Sequence, residues 1–313
     1  MSGHKSYHQL NYQDNLRHYE RYAAGADRES EARTWLDPDT VDAWRHGRMY
    51  AALDPLLEID KGRRWLTVGD GRYGKDARYL ALHGADAVAS DLDDTLLAEA
   101  EKIGFITAYS RQNAESLTFA DQSFDYVLCK ESYHHFPRPM LALYEMLRVS
   151  SKGVVLIEPG DRFVSYSLIR RFWTSAVDSL LSLLNKGVPR HSFEEFGNYV
   201  YCISRRELEK VALGMNYRYL AFKGLNDHYV AGVEHEKISD RGRLLRLVQS
   251  KIMLRDVLSK LWISDHAMLV AIVFKQAPSM ALRERLSGDG YELVELPENP
   301  HPHGSQADGK PVH

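Results

Sequence analysis

The stretch that decides the fold is Arg64-Trp-Leu-Thr-Val-Gly-Asp-Gly-Arg-Tyr-Gly-Lys-Asp-Ala-Arg78. Its apolar residues 65–68 predict a short buried strand, and Gly69, Gly71 and Gly74 then form a G-x-G-x-x-G pattern before a helical periodicity begins. Gly69 allows a tight turn, Gly71 lets a ligand approach the backbone, and Gly74 lets the helix pack against the strand. The N–H groups at the helix start favour an anionic or polar ligand, although the pattern alone also fits an ordinary strand–helix turn.

Apolar segments alternate with helical patterns on both sides of this turn, which predicts a doubly wound, Rossmann-like α/β sheet of seven strands. N-terminal helices precede the sheet, and helical insertions interrupt its second half. The predicted strands are 65–68, 87–91, 105–109, 124–129, 154–157, 217–222 and 267–274.

Polar residues stand at the carboxyl ends of these strands, where ligands bind in such sheets. They are Gly69–Gly74, Asp91, Asn113–Glu115, the pair His134 and His135, and Glu158. Asp91 ends the second strand 20 residues after Gly71. An acid at the end of that strand can accept hydrogen bonds from both hydroxyls of a ribose. The alternative is that it caps the following helix.

These motifs, in this order and spacing, resemble those of a class I S-adenosylmethionine-dependent methyltransferase of the type 11 branch. Val68–Gly74 is similar to the first motif of that family, Asp91 to its ribose-binding acid, and Leu92 to the apolar residue beside adenine. Asn113–Glu115 resembles its adenine-side loop, and Tyr133–Phe136 the loop after its fourth strand.

The resemblance implies S-adenosyl-L-methionine as cofactor and methyl transfer to a small-molecule acceptor, one that we expect to be moderately large and partly apolar. It implies cofactor contacts from Gly69, Asp70, Gly71, Gly74, Asp91, Leu92, Asn113, Ala114, Glu115 and Lys130. The chain departs from the family at Thr67, where an acid is usual, and at Asn113, where Asp is frequent. We expect Asp70 or ordered water to replace the missing acid, and Asn113 still offers an acceptor to adenine.

Methyl transfer to a hydroxyl or an amine needs a base, and the loop after the fourth strand offers three candidates: His134, His135 and Glu131. Imidazole titrates near neutrality, which favours a histidine, although one His can serve as a structural hydrogen-bonding group while the other packs. Tyr133 and Glu158 are rivals.

Two other functions fit part of the pattern. The glycine motif and Asp91 also suit an NAD(P)-dependent oxidoreductase, but such an enzyme gives the segment 113–125 no role. A non-catalytic cofactor-binding protein is the second alternative, and Thr67 is its support.

The overall composition gives no sign of several classes of partner. The chain has 40 basic and 43 acidic residues, and its net charge of −3 does not indicate a protein that binds nucleic acid or an acidic membrane through its overall charge. No apolar run is long enough to span a bilayer. His4 and His8 have a metal-like spacing but stand in a polar tail, and there is no Cys-x-x-Cys, so we expect no metal site. Two unclustered cysteines, Cys129 and Cys202, favour the reducing cytoplasm. The oligomeric state is left open.

The chain is expected to divide into an N-terminal tail with a helical cap (1–60), a methyltransferase domain (61–278) and a C-terminal extension with a disordered tail (279–313). An aromatic stripe that begins at Tyr12 either packs on the body or caps a ligand. Insertions at 160–202 and 224–262 are candidates for the acceptor side. The first, with Phe172 and Trp173, is expected to form a lid, or else to thicken the core.

Overall fold

The computed structural model describes residues 32–161 and 198–301, together with positions 10, 12, 13, 163, 164, 167, 169, 171, 172, 175 and 191–193. Within these residues the strands are β1 Arg64–Val68, β2 Asp86–Asp91, β3 Tyr109–Arg111, β4 Phe124–Lys130, β5 Ser150–Pro159, β6 Tyr219–Leu225, β7 Met268–Phe274 and β8 Glu292–Glu295. They form one sheet in the order β3-β2-β1-β4-β5-β7-β6-β8.

The α-helices of the same residues are α1 Val41–Tyr50, α2 Asp54–Ile59, α3 Lys75–Leu82, α4 Thr95–Lys102, α5 Pro139–Val149, α6 Arg205–Gly214, α7 Arg243–Lys260 and α8 Met280–Gly288. Hydroxyl side chains mark three of the starts: Thr40, Ser204 and Ser279 accept backbone N–H groups of the first turns of α1, α6 and α8. Each of these caps satisfies a donor that the helix itself leaves unpaired.

Strand pairing in the sheet changes from parallel to antiparallel after β5. Neighbouring strands from β3 to β5 are parallel, whereas β7 runs antiparallel between β5 and β6. The central strands are buried on both faces, since Val127 and Leu128 point to opposite sides and are both fully inaccessible. This burial explains why the parallel strands are continuous apolar runs in the sequence.

The predicted α/β fold class is confirmed, but two details of the sheet were wrong. The sheet has eight strands and not seven, because β8 pairs with β6 at the edge. The third strand is Tyr109–Arg111 and not 105–109. The N–H of Phe105 instead bonds the carbonyl of Ala100 and closes the end of α4, and the buried Ile106 packs beneath the glycine turn.

The division into a helical cap, a central domain and an extension stays a prediction. The extension does contribute to the sheet, because α8 and β8 follow position 278 and the hydroxyl of Tyr291 bonds the carbonyl of Ala52 at 2.6 Å. The tail beyond residue 301 lies outside the described residues.

Candidate active site

The glycine turn after β1 is clamped between two neighbouring loops. The N–H of Gly69, at φ +77°, donates to the carbonyl of Ser90 at 2.9 Å. The hydroxyl of Ser132 donates to the carbonyl of Gly69 at 2.6 Å. A Cβ at position 69 would lie 2.4 Å from the Cβ of Ser132, so the turn tolerates only glycine.

Asp70 organises this turn from within. Its buried carboxylate accepts the hydroxyl of Thr67 at 2.8 Å and the N–H groups of Asp76 and Ala77 at 3.1 and 2.9 Å. Burial, followed by the charge of Asp76, raises the pKa of Asp70 well above its usual value. Thr67 and Asp70 together therefore order the loop where the resembling family uses a single acid on β1.

Asp91 ends β2 directly opposite Gly71. A Cβ at Gly71 would lie 2.8 Å from Oδ2 of Asp91, so the carboxylate can occupy this position only because residue 71 has no side chain. Asp91 is only 8% exposed, and this burial raises its pKa to about 6. The first turn of α4 is served by Asp93, whose Oδ1 accepts the N–H of Thr95 at 2.9 Å. Asp91 is therefore not the cap of that helix.

A first cavity opens beside Asp91. It is lined by Tyr12, Val68, Gly69, Ser90, Asp91, Leu92, Gln112, Asn113, Ala114, Glu115, Ser132, His135, Phe136 and Pro137. Oδ1 of Asn113 accepts the N–H of Glu115 at 2.9 Å and so shapes the loop. Glu115 in turn accepts the backbone N–H and Nε of Arg138 at 2.7 and 2.6 Å. The structure thus brings together six of the residues predicted to bind the cofactor: Gly69, Asp91, Leu92, Asn113, Ala114 and Glu115.

A second cavity of about 380 Å³ lies on the other side of the glycine turn. It shares Gly69, Ser132 and His135 with the first cavity, so the two meet at these residues. Its other lining residues are mostly polar or charged: Trp35, Asp42, Arg45, His46, Tyr50, Asp70, Gly71, Arg72, Lys75, Asp76, Lys130, Glu131, His134, Tyr229 and Glu234.

Lys130 is the centre of a buried polar network in this second cavity. Its Nζ lies 3.0 Å from Nδ1 of His46 and 3.4 Å from Oδ1 of Asp76. The hydroxyl of Tyr50 donates to the same Asp76 oxygen at 2.6 Å. Burial and the charge of Lys130 lower the pKa of His46, so this imidazole is neutral near pH 7. Lys130, which was predicted to contact the cofactor, lines the second cavity and not the first.

Glu131 follows β4 in a left-handed conformation, with φ +52°, which is a costly backbone state for a glutamate. Its carboxylate lies 3.3 Å from His46 and 3.6 Å from Lys130. Burial opposes its ionisation, yet His46, Lys130 and Arg72 lower its pKa to about 2. A carboxylate of such low basicity is a charge partner for a ligand rather than a proton acceptor.

His134 is held by a fully buried glutamate at the end of β5. Nδ1 of His134 lies 2.7 Å from Oε2 of Glu158, and the other carboxylate oxygen accepts the N–H groups of Ser132 and Tyr133 at 2.8 and 2.9 Å. Because Glu158 accepts at Nδ1, the basic nitrogen of the neutral ring is Nε2. The ring of His135 lies 3.9 Å from that of His134, between their centroids.

Gly74 and the described residues of the first insertion line neither cavity. Gly74 packs against Ile106 and Ala89 at the start of α3, as predicted for helix–strand contact, and lines neither cavity. Phe163, Ile169 and Phe172 are exposed and line neither cavity, while Trp173 lies outside the described residues. Most of the predicted N-terminal aromatic helix also lies outside them, although Tyr12 itself borders the first cavity.

Several lining residues could not be identified from the sequence. Asp42, Arg45, His46 and Tyr50 lie on α1, which the sequence presents as an ordinary amphipathic helix. The one signal for them was the repeated presence of charged residues on the apolar side of that helix. Within the described residues, no group of three or more His, Cys, Asp or Glu side chains is arranged to hold a metal ion. No helix among them has the length and apolarity to cross a bilayer.

Comparison with known proteins gives this site a context. Residues 66–157 match the family model described as "Methyltransferase domain". The methyltransferase GfsG of Streptomyces halstedii is 26% identical over 196 residues, a match that covers 57% of this chain and 65% of that protein. The match thus spans less than two thirds of the length of this curated relative.

Two solved structures resemble the chain at a lower sequence identity. A SAM-dependent methyltransferase of Methanosarcina mazei is 16% identical with a TM-score of 0.43, and covers 70% of this chain and 94% of its own. One of Archaeoglobus fulgidus is 16% identical with a TM-score of 0.45, and covers 74% and 94%. The sequence match to the family model carries the assignment. It agrees, over residues 66–157, with the resemblance to a class I S-adenosylmethionine-dependent methyltransferase, which implies S-adenosyl-L-methionine as the cofactor.

The residues of the two cavities fit this cofactor. The bare Cα of Gly71 beside the Asp91 carboxylate leaves room for a sugar diol, with Leu92 and Asn113–Glu115 lining the same cavity. The amino-acid end of the cofactor carries an ammonium and a carboxylate. Across the glycine turn, Glu131 can hold the ammonium. Lys75, which makes no hydrogen bond or ion pair with a described side chain, can hold the carboxylate.

Proposed function

We propose that this chain, whose residues 66–157 belong to the methyltransferase domain family, transfers a methyl group from S-adenosyl-L-methionine to a small polar acceptor in the second cavity. The observation that carries the proposal is the meeting of two cavities at Gly69, Ser132 and His135. One of them presents Asp91 for a ribose, and the other presents His134 as a base.

The chemistry of the chain's own residues follows from this arrangement. When bound, the cofactor supplies a methyl group on a positively charged sulfur. His134 is placed to take the proton of an acceptor hydroxyl or amine at Nε2, while Glu158 fixes the tautomer at Nδ1 and stabilises the imidazolium that forms. Gly69 and Ser132 hold the glycine turn at the junction of the two cavities.

The acceptor is polar in this proposal, which revises the expectation of a partly apolar one. Buried or half-buried charged groups dominate the second cavity, and an apolar molecule would remove their hydration without replacing it. Tyr229 and Glu234 of the second insertion line the same cavity. This supports the prediction that residues 224–262 belong to the acceptor side.

The oxidoreductase alternative is disfavoured by the sheet. Dinucleotide-binding folds typically follow the strand order 3-2-1-4-5-6 in a mostly parallel sheet. Here β7 enters antiparallel between β5 and β6. No observation in the described residues favours the non-catalytic alternative. A cytoplasmic location remains a prediction.

Calorimetry with S-adenosylhomocysteine, NAD and NADP tests the cofactor. We expect S-adenosylhomocysteine to bind and both dinucleotides to give no heat. Asp91→Ala should weaken binding at least about tenfold through the loss of charge-assisted hydrogen bonds. Asp93→Ala, which removes a neighbouring carboxylate that caps α4, is the matched control and should leave affinity unchanged. Dinucleotide binding without S-adenosylhomocysteine binding would overturn the proposal.

Incubating cell extracts with the enzyme and a methyl-labelled donor tests the acceptor class. The label should appear in a product that stays in water when the mixture is extracted with heptane. Label that passes into heptane would contradict the polar acceptor, although not the methyl transfer itself.

A further inference from the structure

Helix α7 has two apolar faces, and only one of them is covered. Leu245, Val248 and Ile252 are buried and pack against Val41 of α1 and Val233. This inner face fastens α7 to the elements that border the second cavity. The outer face has a different composition and environment.

The outer face presents a line of large apolar side chains to solvent. Leu247, Leu254 and Leu261 recur every seven residues and so lie on one side of the helix, opposite the inner face. Leu254 and Leu261 are 53% and 60% exposed, and Trp262, just past the helix end, is 69% exposed. Met253, Val257 and Ile263 are exposed beside them.

Cations surround this apolar line. Arg243, Arg246, Lys251 and Lys260 are exposed, and none of them forms an ion pair with a described acidic side chain. The one acid of the helix, Asp256, lies 3.5 Å from Arg48. Four exposed cations of α7 are therefore not neutralised by an ion pair among the described residues, although the chain as a whole has a net charge of −3.

The surface continues beyond α7. The hydroxyl of Ser167 bonds the carbonyl of Trp262, which places the start of the first insertion against the end of the helix. The described apolar residues at positions 163–172, which are Phe163, Val164, Ile169 and Phe172, are also exposed. Two segments far apart in sequence thus present aromatic and aliphatic side chains in one region.

We propose that this outer face of α7, with Trp262 and Ile263, docks on an anionic lipid surface. A helix that carries large apolar side chains flanked by Lys and Arg lies in the headgroup region of such membranes. A second copy of the chain would bring like charges together, and nucleic acid would leave the leucines and the tryptophan in water. The proposal concerns docking on a membrane and is independent of methyl transfer.

Co-sedimentation of the full chain with lipid vesicles tests this docking. The vesicles are phosphatidylcholine alone or phosphatidylcholine with roughly 30% phosphatidylserine, in about 0.1 M salt. The protein should sediment with the phosphatidylserine vesicles, remain in solution with the neutral ones, and be released when salt is raised to about 0.5 M. A blue shift of tryptophan emission on binding should be smaller in Trp262→Phe.

Matched pairs of variants separate docking through α7 from a general effect of net charge or of an added carboxylate on the protein surface. Lys251→Glu should lower the partition coefficient by roughly tenfold, whereas Lys102→Glu, an equal change of net charge on the exposed part of α4, should not. Leu254→Glu should abolish binding, whereas Leu82→Glu, at a residue 65% exposed on α3, should leave it intact. The melting temperatures of all four variants should match the parent, because these side chains are exposed.

Absence of sedimentation with the phosphatidylserine vesicles would overturn the proposal. Equal loss in Leu254→Glu and Leu82→Glu would also overturn it. If Leu254→Glu lowers the melting temperature and the parent does not bind vesicles, the face is covered by another part of the chain, and the proposal is wrong.

Discussion

Asp91 meets two requirements that oppose each other. A ribose needs the charged carboxylate, whereas burial favours the neutral acid and raises the pKa to about 6. Since the unfolded value is near 3.9, protonation favours the folded state, and this contribution is lost as pH rises from about 4 through 6. Above pH 6 the ligand-free protein holds a buried charge that ligand hydroxyls would stabilise.

The affinity for S-adenosylhomocysteine should therefore fall as pH drops below about 6, by up to about tenfold per pH unit. The ligand selects the ionised carboxylate, so binding at pH 5 should release a proton. Calorimetry in two buffers of different ionisation enthalpy measures this release. In Asp91→Asn the affinity should be low and nearly independent of pH over the same range. A parent affinity that does not change from pH 8 to pH 5 would contradict the role of Asp91.

His134 and Glu158 are the residues on which the proposed proton transfer depends. With an acceptor in hand, His134→Gln should lower turnover by roughly 10²–10⁴-fold with S-adenosylhomocysteine affinity unchanged. His135→Gln is the matched control for a neighbouring imidazole. Two-bond ¹H–¹⁵N spectra give a readout without an acceptor: His134 should be the Nδ1–H tautomer, and Glu158→Gln should lose that preference. Full activity of His134→Gln would exclude it as the base.

At the scale of elements, the glycine turn could be predicted from the sequence, because a Cβ at any of its three glycines would lie too close to a neighbouring side chain. Apolar runs and helical spacing located β1, β2, β4 and β5, since strands buried on both faces are continuously apolar. The third strand was misplaced, because Phe105 and Ile106 are apolar for a different reason: they close and pack a helix end. Sequence periodicity cannot separate these two uses of a short apolar run.

Gly71→Ala tests the turn as an element. Its added Cβ would lie 2.8 Å from the Asp91 carboxylate and displace it, so affinity for S-adenosylhomocysteine should fall at least about tenfold. Gly47→Ala in α1 is the control, because its Cβ would meet nothing within 4 Å. That control should raise the free energy of unfolding by about 0.5–1 kcal/mol and leave affinity unchanged. Equal affinities of the two variants would show that Gly71 is not needed at the ribose site.

At the scale of the whole molecule, the strand-end residues of the first cavity were predictable, whereas the residues that α1 and the second insertion bring to the second cavity were not. The residues of the first cavity follow the ends of β1 to β4, four consecutive strands that lie side by side in the sheet in the order β3-β2-β1-β4. The second cavity joins α1, the turn after β1, the end of β4 and residues 229–234. No local pattern links positions so far apart, and single charged residues such as Arg45 or Glu234 resemble ordinary surface residues until the fold brings them together.

The C-terminal extension should stabilise the whole molecule through Tyr291. Its buried hydroxyl donates to the carbonyl of Ala52 at 2.6 Å, so Tyr291→Phe leaves a buried acceptor without its partner. The free energy of unfolding in urea should fall by about 1–2 kcal/mol, with S-adenosylhomocysteine affinity unchanged. Tyr144→Phe, at a residue 44% exposed, is the control and should change stability by less than about 0.5 kcal/mol. Equal stability of the two variants would contradict this contribution.

The place of β7 has a consequence for synthesis on the ribosome. β5 pairs with β4 along one edge, but the partner of its other edge is β7, which is synthesised more than a hundred residues later. Until residues 268–274 emerge, the nascent chain carries an open, apolar strand edge, Val154–Ile157, of the kind that templates aggregation. A chain whose translation stops short of Phe274 keeps that edge open, and such fragments should be insoluble or bound by chaperones even though every strand from β1 to β5 is present.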